Sequence, residues 1–246
     1  MFRLGKLYIC YGFVVLCLGN IIVRQSPALG LNLSVSCAAD VGVVLSGQLP
    51  YTLMTFLPLM LSVWFLSGSD FDSAHILRYK TWKNLLLAQS WKILINSMVL
   101  ALIFVVIANG LGYLYTGKFY NWGKVNSLFY VKGEKILPGY SFMGMLFIEW
   151  IFLCIRNLIL QHIILLCWWL PFSKPVGAVL SFGVCCCEIA NIKIRLVLSL
   201  FSIDYSVWKY QLQRVWILLG LMLYISFFSM FYLFLTKTKE VYDEKI

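Results

Sequence analysis

Residues 69–92 read SDFDSAHILRYKTWKNLLLAQSWK. The run holds Asp70, Asp72, Arg78, Lys80, Lys83 and Lys92, a dense charge cluster in a chain that is only 12% charged. An apolar stretch lies on either side, about 49–66 before it and about 93–115 after it. Asp72 or Ser73 is suited to cap a helix that starts near Ala74. On such a helix Ile76, Tyr79 and Lys83 share one face, and Arg78 and Trp82 form an i, i+4 pair. The pattern predicts a short amphipathic helix lying on a membrane surface between two spans.

Composition supports the membrane. Of 246 residues, 61% are hydrophobic, whereas soluble domains average roughly 45–50% apolar and about 25% charged. No polar segment is long enough to enclose a second core, so residues 1–246 read as a single transmembrane domain. The expected class is an all-α polytopic membrane protein. The net charge of +10 suits anionic lipid headgroups. Nucleic acid is a poor partner, because the basic residues are scattered over loops rather than gathered on one face. Seven of the eight cysteines fall in apolar spans, where they read as small buried hydrophobes. Cys37 is expected in an exposed loop with no partner. No CxxC occurs, so zinc and thioredoxin-type chemistry lack a motif and no metal site is assigned.

Six spans are expected, at about 7–23, 49–66, 93–115, 141–170, 176–192 and 215–235. The first has the length of a signal peptide but no A-x-A site after it, and reads as an uncleaved anchor. Residues 25–48 read as a mildly polar outer loop, partly packed at the interface. Residues 116–140 read as an aromatic outer loop with Phe119, Tyr120, Trp122, Phe129 and Tyr130. The fourth span is too long for a hydrocarbon core of about 30 Å; it must tilt, protrude or break near Arg156-Asn157. Residues 193–213 suit one or two short helices on the membrane surface. Six spans put both termini on one side. The 20 Lys and Arg divide almost evenly between the two sides, so a cytoplasmic placement of the termini rests on the first helix and the basic cluster after span two.

Ionisable groups in a bilayer cost about 2.5–3.5 kcal/mol each on insertion scales and are functional candidates by default. Here they are Glu149, Arg156, His162 and Glu188. If spans four and five are antiparallel, Glu149 and Glu188 sit at similar depth, about 12 Å below the outer face at 1.5 Å per residue. They are candidates to line a path for a cationic amphipathic substrate, with Arg156 on nearly the same face; alternatively they pair with Arg156, Lys193 or headgroups to orient helices. His162 among Leu and Ile reads as a core histidine. No catalytic residue is assigned, and no GxxxxGK[ST] motif is present, so the chain carries no usual ATP-hydrolysing loop.

The short basic start, six spans, charged loop after span two and surface-helix segment before span six resemble the permease subunits of type-2 ABC transporters. FDSAHILRYKTWKNLLLAQ, residues 71–89, is similar to the loop of small Gram-positive permeases for bacteriocins, lantibiotics or phenol-soluble modulins. Asp72, Arg78, Tyr79, Trp82 and Lys83 hold the places of that pattern. The resemblance implies a type-2 exporter fold with a cytoplasmic coupling helix between helices 2 and 3. Asp72, His75, Arg78, Tyr79, Trp82 and Lys83 would contact a cytosolic ATP-binding subunit present in two copies. ATP and Mg would sit on that subunit, and this chain would bind no cofactor. A second permease copy or paralogue, membrane lipid and a peptide or amphipathic substrate complete the implied partners, in a bacterial plasma membrane. Residues 193–213 would match the extracellular re-entrant helices, and the long 116–140 loop departs from the family's short turn. Two other classes remain open: a non-catalytic sensor or immunity protein binding a peptide or lipid, and an intramembrane peptide-processing enzyme, for which Glu149 and Glu188 are the only depth-matched pair.

Overall fold

The computed structural model describes residues 2–25, 32–68, 70, 81–132, 141–169, 174–190, 197, 198, 201, 205, 220–222, 224–226 and 228–235. These residues are helical or lie in turns, with no strand among them. In chain order the helices are α1 (Phe2–Arg24), α2 (Ala38–Leu45), α3 (Gln48–Ser67), α4 (Trp82–Thr116), α5 (Leu128–Lys132), α6 (Phe142–Trp169) and α7 (Lys174–Ala190), followed by α8 (Gly220–Leu235).

By length and composition, α1, α3, α4 and α6 are apolar enough to cross a membrane. This is a helical membrane protein. α7 and α8 are shorter apolar helices. α4 packs on α1, α2, α3 and α6, while α6 also touches α2, α3 and α7. Burial follows this arrangement: 72% of the apolar window of α6 is enclosed, against 28% for α1. Thus α6 is central and α1 peripheral, with Ile9, Phe13 and Ile21 facing outward.

Several expected boundaries move. The third span was expected from about Ile93, yet α4 starts eleven residues earlier, at Trp82. Thr81 caps it, its Oγ1 accepting from the Asn84 N–H at 3.2 Å. Its first turns carry Lys83, Asn84, Gln89, Ser90 and Lys92, polar residues that mimic a loop in sequence. In three dimensions Leu85, Leu86 and Gln89 face the bundle, and Lys92 pairs with Asp70 at 2.8 Å. At the far end Gly117, with φ +66°, occupies the left-handed conformation that terminates helices and favours glycine. α6 is unbroken through Arg156 and Asn157. At 1.5 Å per residue it is about 42 Å long, so the excess length is taken up without a kink at those residues.

The larger correction concerns residues 25–48. Their second half is not an interfacial loop. Residues 38–45 form α2, which is inserted among the long helices with Ala38, Ala39, Asp40, Val41, Gly42, Val43 and Leu45 buried. Close backbone approach makes this possible. A Cβ at Gly112 of α4 would stand 2.6 Å from Ala38 Cα and 2.8 Å from its carbonyl oxygen. Cys37, expected exposed, has no accessible surface. Likewise Trp122 and Phe129 of the expected outer loop are core residues, as are Val197, Leu198, Phe201 and Tyr205 from the segment expected on the surface. α8 closes a second cluster, placing Phe228 and Leu235 with Leu85, Ile93, Leu165 and Trp169.

Gly112→Ala must push α2 away from α4, and overpacking of this kind costs about 1–3 kcal/mol. Its melting midpoint in detergent should fall below wild type. Gly110→Ala, whose Cβ meets nothing within 4 Å, should hold or raise the midpoint, since alanine is the better helix former.

Candidate functional site

Polar residues recur on the buried surfaces of α4 and α6: Gln89, Asn96, Ser97 and Asn109 on one, Glu149, Arg156, Asn157 and Gln161 on the other. Gln89 and Asn96, and likewise Glu149 and Arg156, are seven residues or nearly two turns apart and share a face. The two sets meet. Asn109 Nδ2 donates to Glu149 Oε2 at 3.0 Å, and Asn157 Nδ2 to the Ser97 carbonyl at 3.3 Å. Asn96 Nδ2 donates to Gln161 Oε1 at 3.0 Å, and Trp169 Nε1 to Gln89 Oε1 at 2.8 Å. Partners climb on α4 as they descend on α6, which fixes the two as antiparallel. The rungs span residues 89 to 109, about 30 Å of helix, comparable to a hydrocarbon core. Tyr8, Ser62 and Tyr51 extend the rungs to α1 and α3, through Asn96 Oδ1 at 2.9 Å, Asn96 Nδ2 at 2.9 Å and Asn157 Oδ1 at 2.6 Å.

Arg156 is completely buried. Its guanidinium donates to the Ser46 carbonyl at 2.6 Å and to the Leu198 carbonyl at 2.7 Å, with the Tyr51 ring centroid 5.1 Å away. Glu188 grips the same segment from the other side. Its Oε1 accepts the N–H groups of Val197 at 2.5 Å and Leu198 at 3.0 Å. Arg156 and Glu188 therefore meet through one peptide segment, and that segment is locked into the core by a cation on its carbonyl and an anion on its amides. Glu149 belongs elsewhere, with Asn109 and the backbone of Gly42. The two carboxylates expected as a depth-matched pair are both buried and engage different partners.

A third knot lies at the end of the bundle where α2 enters. Asp40 Oδ2 accepts from the Cys37 N–H at 2.8 Å, capping α2. Asp40 Oδ1 accepts from Trp122 Nε1 at 2.9 Å and the Tyr205 hydroxyl at 3.0 Å. Trp122 stacks on Phe129 at 4.5 Å between centroids. Burial raises the Asp40 carboxyl above its ordinary range, and the three donors only partly offset this. Burial, then the neighbouring Asp40 charge, pushes the Cys37 thiol up to about 12, so it stays a thiol rather than a nucleophilic thiolate.

Of the residues expected to contact a partner, Asp72, His75, Arg78 and Tyr79 lie outside the described residues. Trp82 and Lys83 open α4. The Trp82 ring meets Trp169 edge-on at 5.8 Å, and Lys83 is exposed. His162 is a core histidine: its Nδ1 lies 2.8 Å from the Leu158 carbonyl and its ring faces Phe228 of α8 at 5.4 Å.

Compared with family models, curated proteins and solved structures, the chain matches none.

Glu188→Ala strands two buried amides at about 1–3 kcal/mol each. It should expose the backbone at Val197 and Leu198 to limited proteolysis, whereas Glu188→Gln, which keeps an acceptor oxygen, should remain resistant there. Asp40 adds a pH dependence. A carboxyl raised by folding contributes fully below its unfolded value, and that contribution is lost as pH rises through its folded value. In detergent melts, wild type should therefore weaken relative to Asp40→Asn as pH rises from acid towards neutral; a difference constant with pH would exclude this role.

Proposed function

We propose that the chain is the six-span permease subunit of an ATP-driven type-2 ABC transporter, exporting or clearing an amphipathic peptide or another hydrophobic substrate. The observation that carries this reading is the placement of Glu149, Arg156 and Glu188, all buried, inside a helical membrane bundle. Ionisable groups at that depth are costly and mark working sites by default. A bundle with charge at its centre is suited to moving a charged or amphipathic molecule across a membrane. The basic segment between α3 and α4 offers a grip for a soluble engine, and the sequence has no phosphate-binding loop of its own. The energy would then come from a separate cytosolic subunit carrying ATP and Mg, two copies per complex, with a second permease copy or paralogue. The chain would lie in a bacterial plasma membrane with both termini cytoplasmic.

The contact between Trp82 and Trp169 makes Trp82 a poor probe of docking, since its loss would also loosen the bundle. Arg78 and the exposed Lys83 are better probes. Purified from native membranes under mild detergent, the wild-type chain should carry an ATPase. Arg78→Ala/Lys83→Ala should retain the bundle's melting midpoint and lose the ATPase at least tenfold. Cargo movement by reconstituted chain alone would refute the proposal, as would an unaltered complex in the double variant.

A further inference from the structure

Glu149 is 1% exposed and Asn109 is 6% exposed. Each lies seven residues inside its helix at the α2 end of the bundle, about 10 Å along the axis. The Asn109 amide is oriented by its surroundings. Its Nδ2 donates to the Val105 carbonyl at 3.0 Å and to Glu149 Oε2 at 3.0 Å. Turning the amide over would set its oxygen against two acceptors, so Nδ2 must face them and Oδ1 must face away. Glu149 Oε1 and Asn109 Oδ1 then have no hydrogen-bond partner among the described residues. Both atoms border Gly42 of α2: a Cβ there would stand 2.9 Å from Oε1 and 3.4 Å from Oδ1.

Two buried acceptors beside one another with no donor is an arrangement that an ionised carboxylate cannot satisfy. The charged and titratable groups of the surrounding elements are engaged elsewhere. Asp40 of α2 is held by Cys37, Trp122 and Tyr205. Arg156 of α6 is held by Ser46 and Leu198, and Glu188 of α7 by Val197 and Leu198. Tyr11 of α1 pairs with Thr55 and Tyr51 of α3 with Asn157, and Lys92 of α4 with Asp70. Glu149 has no ion pair among the described residues.

We propose that Glu149 and Asn109 form a proton-binding site: a proton on Glu149 Oε1 is donated to Asn109 Oδ1, closing a two-hydrogen-bond acid–amide pair beneath Gly42. The proton supplies the one donor that the two orphaned oxygens lack. It also removes the charge, whose burial without a partner is far more costly than burial of a neutral hydrogen-bonded acid. The absence of a side chain at Gly42 leaves the two oxygens uncovered, since a Cβ there would stand 2.9 Å from Oε1. The site is independent of what powers the complex, so it stands or falls separately from the permease reading.

The test is infrared difference spectroscopy of the full chain in lipid nanodiscs at neutral pH, wild type minus Glu149→Gln. A protonated-carboxyl C=O band should appear, shift in deuterium oxide, and move to higher frequency in Asn109→Leu, where the carboxyl loses its amide partner. Glu149→Gln should fold with a melting midpoint close to wild type, because the glutamine amide is neutral and brings a donor to Asn109 Oδ1. Carboxylate bands in place of the protonated band would overturn the site. So would failure of Glu149→Gln to fold, or loss of the band when sodium replaces choline in the buffer.

Discussion

In hydrocarbon a polar side chain has no water to fall back on, and the structure depends on this constraint more than on any single contact. Each rung between α4 and α6 adds little by itself: interhelical hydrogen bonds in membranes average about 0.6 kcal/mol. Four of them cannot outweigh the packing of Leu100, Phe104, Leu153 and Leu160 around them. Their effect is on register. Sliding α6 by one turn keeps most apolar contacts but separates Asn109 from Glu149, Asn96 from Gln161 and Gln89 from Trp169. Each stranded buried group then costs about 1–3 kcal/mol. Packing supplies the attraction, and the penalty for unpaired polar groups selects one alignment.

The same constraint explains the short segments. α2 has eight residues, too few to be a stable helix alone. It persists because its apolar face is enclosed and its first turn is closed by Asp40. Residues 197 and 198 lie in a bend and a turn. Arg156 takes a carbonyl and Glu188 takes two amides, doing what water would do for an exposed turn. Irregular backbone at such depth is tolerated only where protein groups satisfy it in this way. Arg156 and Glu188 thus serve the fold first.

The long apolar runs were legible in the sequence, because eighteen or more apolar residues have few alternatives. The four long helices appear where hydropathy put them, within a few residues at most ends. The start of α4 was not legible: Lys83, Asn84 and Lys92 read as part of a separate amphipathic surface helix when partners such as Asp70 are out of sight, and the structure makes them the first turns of the span itself. α2 was hidden for a related reason. Eight mostly apolar residues flanked by turns do not distinguish a buried helix from a loop. Asp40 drew no notice in the sequence, since its partners Trp122 and Tyr205 lie 82 and 165 residues away. Within the site, Glu149, Arg156 and Glu188 stood out by charge. The amides Asn96, Gln161 and Gln89 did not, although uncharged polar residues recurring inside apolar helices were the available signal.

α2 also bears on how such a bundle could move. In this structure it fills the end of the bundle between α4 and α6, under Trp122 and Phe129. Withdrawing it would break the hydrogen bonds from Trp122 and Tyr205 to Asp40, from the Ala38 N–H to the Lys118 carbonyl and from Arg156 to Ser46. At a net of about 0.5–1.5 kcal/mol each, these sum to about 2–6 kcal/mol. Enclosure of Ala38, Ala39, Val41, Val43 and Leu45 adds to this, so only a ligand or partner with a strong preference for the withdrawn form could draw α2 out. The close backbone contact at Gly112 adds a condition: α2 must move as a unit, because any side chain larger than hydrogen there would block it from returning.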